Sequence, residues 1–333
     1  VTVRDETGSL AARLESLRGP LTGYCYRLLG ASGEVDDAVQ ETMLRAFRAI
    51  GGYDPERAAL STWVHRIATN VCLDMLRGAE RRALPWDMGP AATGGDLGVP
   101  LPPDRWVEPP IGLGPAGADD PAHLAVRHET LRLAFVAALQ WLPPRQRAVL
   151  VLRDVLGFSA AETAEVVETS VAAANSALQR ARATLERHRP RPADPPEPAD
   201  PAQRDLLRRY IRAFETHDVR GLLDVLADDA RSGMPPFPWW LDGPASITAA
   251  MSAAMSAALS ASDACAGDRL VPAGVAGGCW TLGQYRPDAD GALRPFALLV
   301  VELRGGRIGD VVTYLGHGDR FAAFGLPAFL PDR

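Results

Sequence analysis

Residues 159–187, SAAETAEVVETSVAAANSALQRARATLER, carry the reading that decides the fold. Ser159 and Glu162 have capping-box spacing, so each side chain can satisfy a backbone N–H at the start of a helix. That helix continues through Ala164, Val166 and Val167. Thr169-Ser170 breaks it and can cap the next. The second helix places Val171, Ala174, Leu178, Ala181 and Leu185 on one inward stripe. Asn175, Ser176, Gln179, Arg180 and Arg187 fall on the opposite side, with Arg182 at its edge. Two short helices with this polarity predict a helix-turn-helix. Small and amide side chains near the start of the second helix suit base edges, and the arginines suit phosphate or guanine. Periodicity alone is equally compatible with a plain helical hairpin bearing a solvated arginine face.

Charge makes that local patch informative. The 333-residue chain carries a net charge of −6, so it is not a general polyanion binder. Residues 170–191 nevertheless hold five arginines and one acid, a local charge of +4. Every fixed side-chain cation is arginine, for which codon bias is the simpler explanation. Hydrophobic residues make up 47% and charged residues 23%, as in ordinary globular proteins.

Proline marks the joints. Residues 85–122 hold nine prolines and seven glycines, and residues 190–201 hold six prolines. Neither stretch can form a regular helix or a central strand. The expected division is residues 1–84, a linker at 85–122, residues 123–189, a stiff linker at 190–201, and residues 202–333.

The first block is helical near 10–29, 34–50 and 61–78. Pro20 starts or breaks a turn, and Ser61 is the expected cap of the third helix. Val64, Ile67, Ala68, Val71 and Met75 form that helix's buried stripe, leaving Trp63, His65, Arg66, Asn70, Asp74 and Arg77 for other faces. In the second block Leu131, Phe135, Ala138, Leu139 and Leu142 form an amphipathic run. Pro143-Pro144 opens a helix that ends at Gly157. The last block begins with helices through Leu207, Tyr210, Ile211 and Phe214, then Leu222, Leu223, Val225 and Leu226. Strands follow near 269–275, 278–285, 295–303 and 307–315, the last two joined by a turn at Arg304-Gly305-Gly306-Arg307. Helices first and antiparallel strands later predict an α+β fold.

Cys25, Cys72, Cys265 and Cys279 form no CxxC pair and read as buried reduced thiols. No zinc site is expected, and no cofactor. The charged start, Val1-Thr2-Val3-Arg4-Asp5-Glu6, does not read as a signal peptide. The alanine stretch Ala249 to Ala261 is too short to cross a membrane, so a cytoplasmic protein is expected.

Several motifs, in order, resemble the extracytoplasmic-function (ECF) sigma factors of bacterial RNA polymerase. Cys25-Tyr26-Arg27-Leu28-Leu29-Gly30 and Asp36-Asp37-Ala38-Val39-Gln40-Glu41-Thr42 resemble sigma region 2. Ser61 through Asn70, STWVHRIATN, resembles the promoter-melting helix. Leu142-Pro143-Pro144-Arg145-Gln146-Arg147 through Arg182 resembles region 4. Leu17-Arg18-Gly19-Pro20 is more turn-like and less basic than the family pattern. The resemblance implies two all-α domains, the region 2 bundle and the region 4 helix-turn-helix. The partners it implies are promoter DNA and core polymerase, through the β′ clamp helices and the β subunit. Asp36, Asp37, Gln40 and Glu41 would dock on the clamp helices. Trp63, His65, Arg66 and Asn70 would meet the unwound minus-10 strand, with Arg77, Arg81 and Arg82 on phosphates. The second helix of region 4 would read the minus-35 element. Trp63, taken alone, is more often a core residue than a stacking platform.

The long linker is similar to that of a subgroup carrying a C-terminal SnoaL-like domain, an α+β cone. Met234-Pro235-Pro236-Phe237-Pro238-Trp239-Trp240 and Phe324-Gly325-Leu326-Pro327 resemble its signatures. The resemblance implies that this domain touches region 2 and the linker and adjusts activity in cis, in place of a separate anti-sigma protein. A small apolar ligand could be bounded by Trp239, Trp240, Trp280 and Tyr285. The same fold houses cyclases and hydrolases, and fold alone grants no activity. Acid/base candidates for that alternative are His217, Asp218, Asp310, Tyr314 and His317. A structural role for them is favoured. A pure interaction scaffold would explain neither the helix-turn-helix nor a pocket.

Overall fold

The computed structural model describes residues 10–111, 129–258 and 265–331. The charged start Val1–Glu6, linker residues 112–122 and Ala261 lie outside the described residues. Chain contacts divide the protein into two units. One comprises residues 1–82 with 107–190, the other residues 83–106 with 191–333.

The first unit is helical. Helix α1 (Arg18–Leu29) ends at Gly30, whose φ of 76° and N–H to Tyr26 O form a left-handed cap. Pro20 falls in its first turn, where a missing N–H costs little. Helices α2 (Ser32–Ala49) and α3 (Leu60–Met75) pack against it and against each other. Leu21, Tyr24, Leu28, Val35, Ala38, Val64, Ala68 and Val71 are buried among them. Helix α3 begins one residue before Ser61. Its N-cap is Ala59 and has no side-chain cap, so the expected serine cap is absent. Ile67 and Met75 are only half-buried; His65 takes an inward place instead. Its ring lies between Tyr24 and Phe158, 5.1 Å from each. Cys25 and Cys72 are buried, free thiols.

Helix α4 (Leu133–Leu139) precedes α5 (Pro144–Leu150), which continues as a π-helical turn over Val151–Val155. Pro144 occupies the first helical position, and Gly157 stands at φ 72° past the end. Helices α6 (Ala160–Val166) and α7 (Val171–Arg187) form the helix-turn-helix. Both halves of the Ser159–Glu162 capping box are made, and Ser170 Oγ accepts from Ala173 N. Ala174, Leu178 and Ala181 are buried. Val171 departs from the expected stripe: at the helix start it is 44% exposed, because the stripe turns away from the core there.

The second unit is α+β. Asp200 caps α8 (Pro201–Glu215), and Asp218 caps α9 (Val219–Val225). The strands are β1 (Leu226–Gly233), β2 (Trp240–Asp242), β3 (Arg269–Ala276), β4 (Cys279–Pro287), β5 (Leu293–Arg304) and β6 (Arg307–Leu315). Helix α10 (Gly243–Ala258) follows β2. The sheet order is β2-β1-β6-β5-β4-β3, antiparallel except for the β1–β6 pair. The four later strands lie where sequence places them. Leu226, expected at the end of a helical run, instead opens β1 and pairs with Ile308.

The pleat sorts the sheet into two faces. On one, Trp280, Leu282, Leu299, Val301 and Leu303 pack with Leu206, Leu207 and Tyr210 of α8. On the other, Tyr285 meets Phe321 edge-on at 5.1 Å. A Cβ at Gly283 would stand 2.6 Å from Leu326, so the C-terminal segment needs glycine there.

Burial holds the His65 imidazole below its ordinary value of 6.5, against the backbone hydrogen bond to Ser61. A depressed folded-state value means that the unfolded chain takes up the proton first. The resulting stability is present above that ordinary value and is lost as pH falls from there through the lower folded-state value. Resistance of the helical unit to urea should therefore fall on acidification, and His65→Gln should flatten the slope. An unchanged slope in the variant would contradict this.

Candidate nucleic-acid interface

Helix α7 presents Asn175, Ser176, Gln179, Arg180, Arg182 and Arg187 to solvent. Its buried stripe sets their direction, and the Ser170 cap starts the helix at the turn. Arg182 is held ready: Nε and Nη2 donate to Asp154 at 2.8 and 2.6 Å. The carboxylate raises the guanidinium further above its ordinary value. Such an exposed pair contributes little to stability, so phosphate can replace the partner. Arg187 Nη2 donates to Thr184 Oγ1 at 3.1 Å.

Trp63, Arg66, Asn70 and Arg77 recur along one side of α3 and its C-terminal extension. The first three are half-buried, and Arg77 is exposed and paired with Asp74 at 3.1 Å. Trp63 leans on Tyr53 with ring centres 5.3 Å apart. The remaining candidates of this group do not join that row. His65 is 3% exposed, with Nδ1 2.8 Å from Ser61 O. The Arg81 guanidinium lies 3.6 Å over the Trp141 ring. Arg82 is 3% exposed; it donates to Leu29 O at 2.7 Å and pairs with Glu34.

On α2, Asp36, Asp37 and Gln40 are exposed, and Glu41 is half-exposed with Arg45 at 2.7 Å. Leu44 and Phe47 continue this side, 42% and 51% exposed. Sequence reading missed them. Their offsets of four and seven residues from Gln40 were the available signal. Acid at one end and exposed large apolar side chains at the other make a surface suited to a protein partner.

The four aromatics grouped as a cone pocket do not converge. Trp239 Nε1 donates to Gly94 O at 3.0 Å, and Trp240 Nε1 to Gly89 O at 2.9 Å. Trp280 belongs to the helix-covered face, with Nε1 on Gln203 Oε1 at 3.1 Å. Tyr285 is on the opposite face, its hydroxyl on Pro327 O at 2.7 Å. The first pair binds the linker chain. Ala92 N donates to Trp240 O, and Leu101 N to Pro236 O. The Arg231 guanidinium lies 4.0 Å over Trp86. Ala83 N on Arg105 O closes residues 83–106 into a loop on the cone. A Cβ at Gly233 would stand 2.7 Å from Pro85, so only glycine allows this approach.

Asp310 and Tyr314 share a face of β6, opposite Glu302 and Leu298 of β5. Asp310 is 3% exposed and held by Arg231 at 2.6 Å and Arg304 at 3.1 Å. The His317 ring is 5.4 Å from that of Tyr314. His217 stands at φ 54° after α8, and Asp218 is spent capping α9.

Two family models match the chain: Sigma-70 region 2 over residues 14–82, and Sigma-70 region 4 over residues 132–185. The ECF RNA polymerase sigma factor SigG of Mycobacterium tuberculosis is 40% identical over 328 residues. That match covers 97% of this chain and 85% of SigG. SigJ of the same organism is 32% identical over 218 residues, 66% of this chain and 62% of SigJ. The crystal structure of SigJ superposes with a TM-score of 0.57 at 23% identity, covering 95% of this chain and 99% of that one. It bears out the fold: two all-α sigma domains followed by an α+β domain. The chain belongs to the extracytoplasmic-function sigma factors, which direct RNA polymerase to promoters and initiate transcription.

Proposed function

We propose that the cone regulates this sigma factor in cis by holding the linker segment 83–106. The observation that carries the reading is the pair of indole donors, Trp239 to Gly94 and Trp240 to Gly89. Backbone carbonyls of a proline- and glycine-rich segment have no ladder of their own, so side-chain donors fix its path. Two neutral hydrogen bonds contribute about 1–3 kcal/mol together, enough to hold a segment and weak enough to release it. A small apolar ligand of the cone would act by packing on these indole rings and displacing the segment, or by entering beside Trp280.

The exposed faces take the remaining roles. Asp36, Asp37, Gln40, Leu44 and Phe47 meet the β′ clamp helices, with charge steering the encounter and the apolar pair supplying burial. Trp63, Arg66, Asn70 and Arg77 follow the unwound minus-10 strand. Asn175, Ser176, Gln179, Arg180, Arg182 and Arg187 enter the minus-35 major groove, while region 4 also rests on the β subunit. Action beside polymerase places the protein in the cytoplasm. Among the described residues, no helix is long and apolar enough to cross a membrane. The enzyme alternative has no support in the comparisons, and two guanidiniums already hold Asp310.

Leu44→Ser with Phe47→Ser should weaken binding of the full chain to core polymerase about tenfold or more, read by fluorescence anisotropy. Unchanged affinity would remove this side of α2 from the interface.

Initiation in vitro with core polymerase and a genomic promoter library tests the cone. The full chain runs beside a form truncated before Pro201 and beside Trp239→Phe with Trp240→Phe, which keeps an aromatic ring at each position and removes both donors. The double variant should shift initiation in the same direction as truncation. Truncation without effect, or a silent double variant beside an active truncation, would contradict regulation through these indoles.

A further inference from the structure

Helix α7 opens on a turn that none of the contacts assigned above uses. Val171 is its first residue, directly after the Ser170 cap, and is 44% exposed. Ala172 and Ala173 are exposed beside it, and the inward stripe takes over only at Ala174. Among the described residues of the helical unit, the exposed large apolar side chains are Leu44, Phe47 and Val171. Leu44 and Phe47 belong to the surface on α2. Val171 stands apart from them, in the helix-turn-helix.

Local structure gives valine no advantage at this position. Ser170 Oγ already accepts from Ala173 N, so the helix start is capped without it. A β-branched side chain loses rotamer freedom on a helix, and alanine is the better helix former. Left in water, the two methyl groups gain nothing from burial.

The helix places Val171 at the head of a row. Side chains four residues apart lie one above the other, so Val171, Asn175 and Gln179 form a single file along α7. Each stands about 6 Å beyond the last, and all three are exposed. The file begins apolar and continues as two amides. In a major groove, the C5-methyl of thymine is the one apolar feature among hydrogen-bonding base edges, and amides match N6 and N7 of adenine. A valine pressed against the amino group of cytosine would strip its water and return no hydrogen bond. The row therefore selects A·T pairs by two chemistries, methyl contact first and amide pairing after it.

We propose that Val171 is a specificity-determining residue whose methyl groups close on the C5-methyl of one thymine in the minus-35 element, with Asn175 and Gln179 taking adenine edges beyond it. This rests on the reading that α7 enters the major groove at that element. Val171 then bears on which promoter is chosen. The salt-dependent grip on phosphate belongs to Arg180, Arg182 and Arg187.

Uracil, which differs from thymine only by the missing methyl, tests it. A promoter initiated specifically by the full chain with core polymerase is prepared with each thymine of the minus-35 element replaced in turn by uracil, on both strands. One replacement should weaken binding of the wild-type complex about fourfold, the effect of losing one buried methyl-sized group. Val171→Ala should weaken binding to the unmodified promoter by a similar factor and lose nothing more at that uracil. Alanine favours the helix, so a loss in this variant is not unfolding. Binding indifferent to every uracil, or a methyl effect of full size in Val171→Ala, overturns the assignment and leaves α7 on the element. So does an element without A·T pairs. Base-pair changes throughout the element with no effect on binding would overturn the reading of α7 itself.

Discussion

The helical unit depends on how the last turn of α1 finds partners for its backbone carbonyls. Gly30 turns the chain left-handed and returns one N–H to Tyr26 O. Leu28 O and Leu29 O are answered by Arg147 and Arg82, both buried. Without those donors, the buried helix end would hold carbonyls cut off from water, at about 1–3 kcal/mol each. The guanidinium suits the task because one planar group serves several acceptors at once. A side chain 119 residues distant in sequence thereby completes a helix of another domain.

The cone solves a related problem for a segment without secondary structure. Residues 83–106 cannot build a ladder, because prolines interrupt it. Their carbonyls go to Trp239 and Trp240, their N–H groups to Trp240 O and Pro236 O, and the Trp86 ring to Arg231. Arg231 also pairs with Asp310 across the β1–β6 register. The carboxylate that resembles a catalytic candidate thus anchors the arginine on which the linker rests. Arg231 thus joins the linker contact proposed here to regulate the chain and the ion pair that occupies Asp310.

Much of this was legible in the sequence because it was local. The Ser159–Glu162 box, the Ser170 cap, Pro144 and the Arg304–Arg307 turn are decided within a few residues, and each is found where local chemistry puts it. What was illegible depended on partners far along the chain. Leu226 continued a helical pattern, yet β6 draws it into a strand. Arginine at position 82 looks like any other basic residue until Leu29 and Glu34 surround it. The tryptophans at 239 and 240 read as pocket walls, because nothing nearby in sequence shows that glycine carbonyls 145 and 151 residues away will claim their N–H groups. Leu44 and Phe47 were passed over because a helical stripe of apolar residues ordinarily points inward.

The central claim is that one chain carries two separate promoter-reading surfaces. Tethered cleavage tests it most directly. An iron chelate that generates hydroxyl radicals is attached at Ser176→Cys or Arg66→Cys of the full chain in a polymerase–promoter complex. Cutting of the duplex around the minus-35 element from the first site, and of the melted minus-10 strand from the second, is the predicted result. Cuts from both sites falling on one element, or none on the promoter from either, would contradict the account.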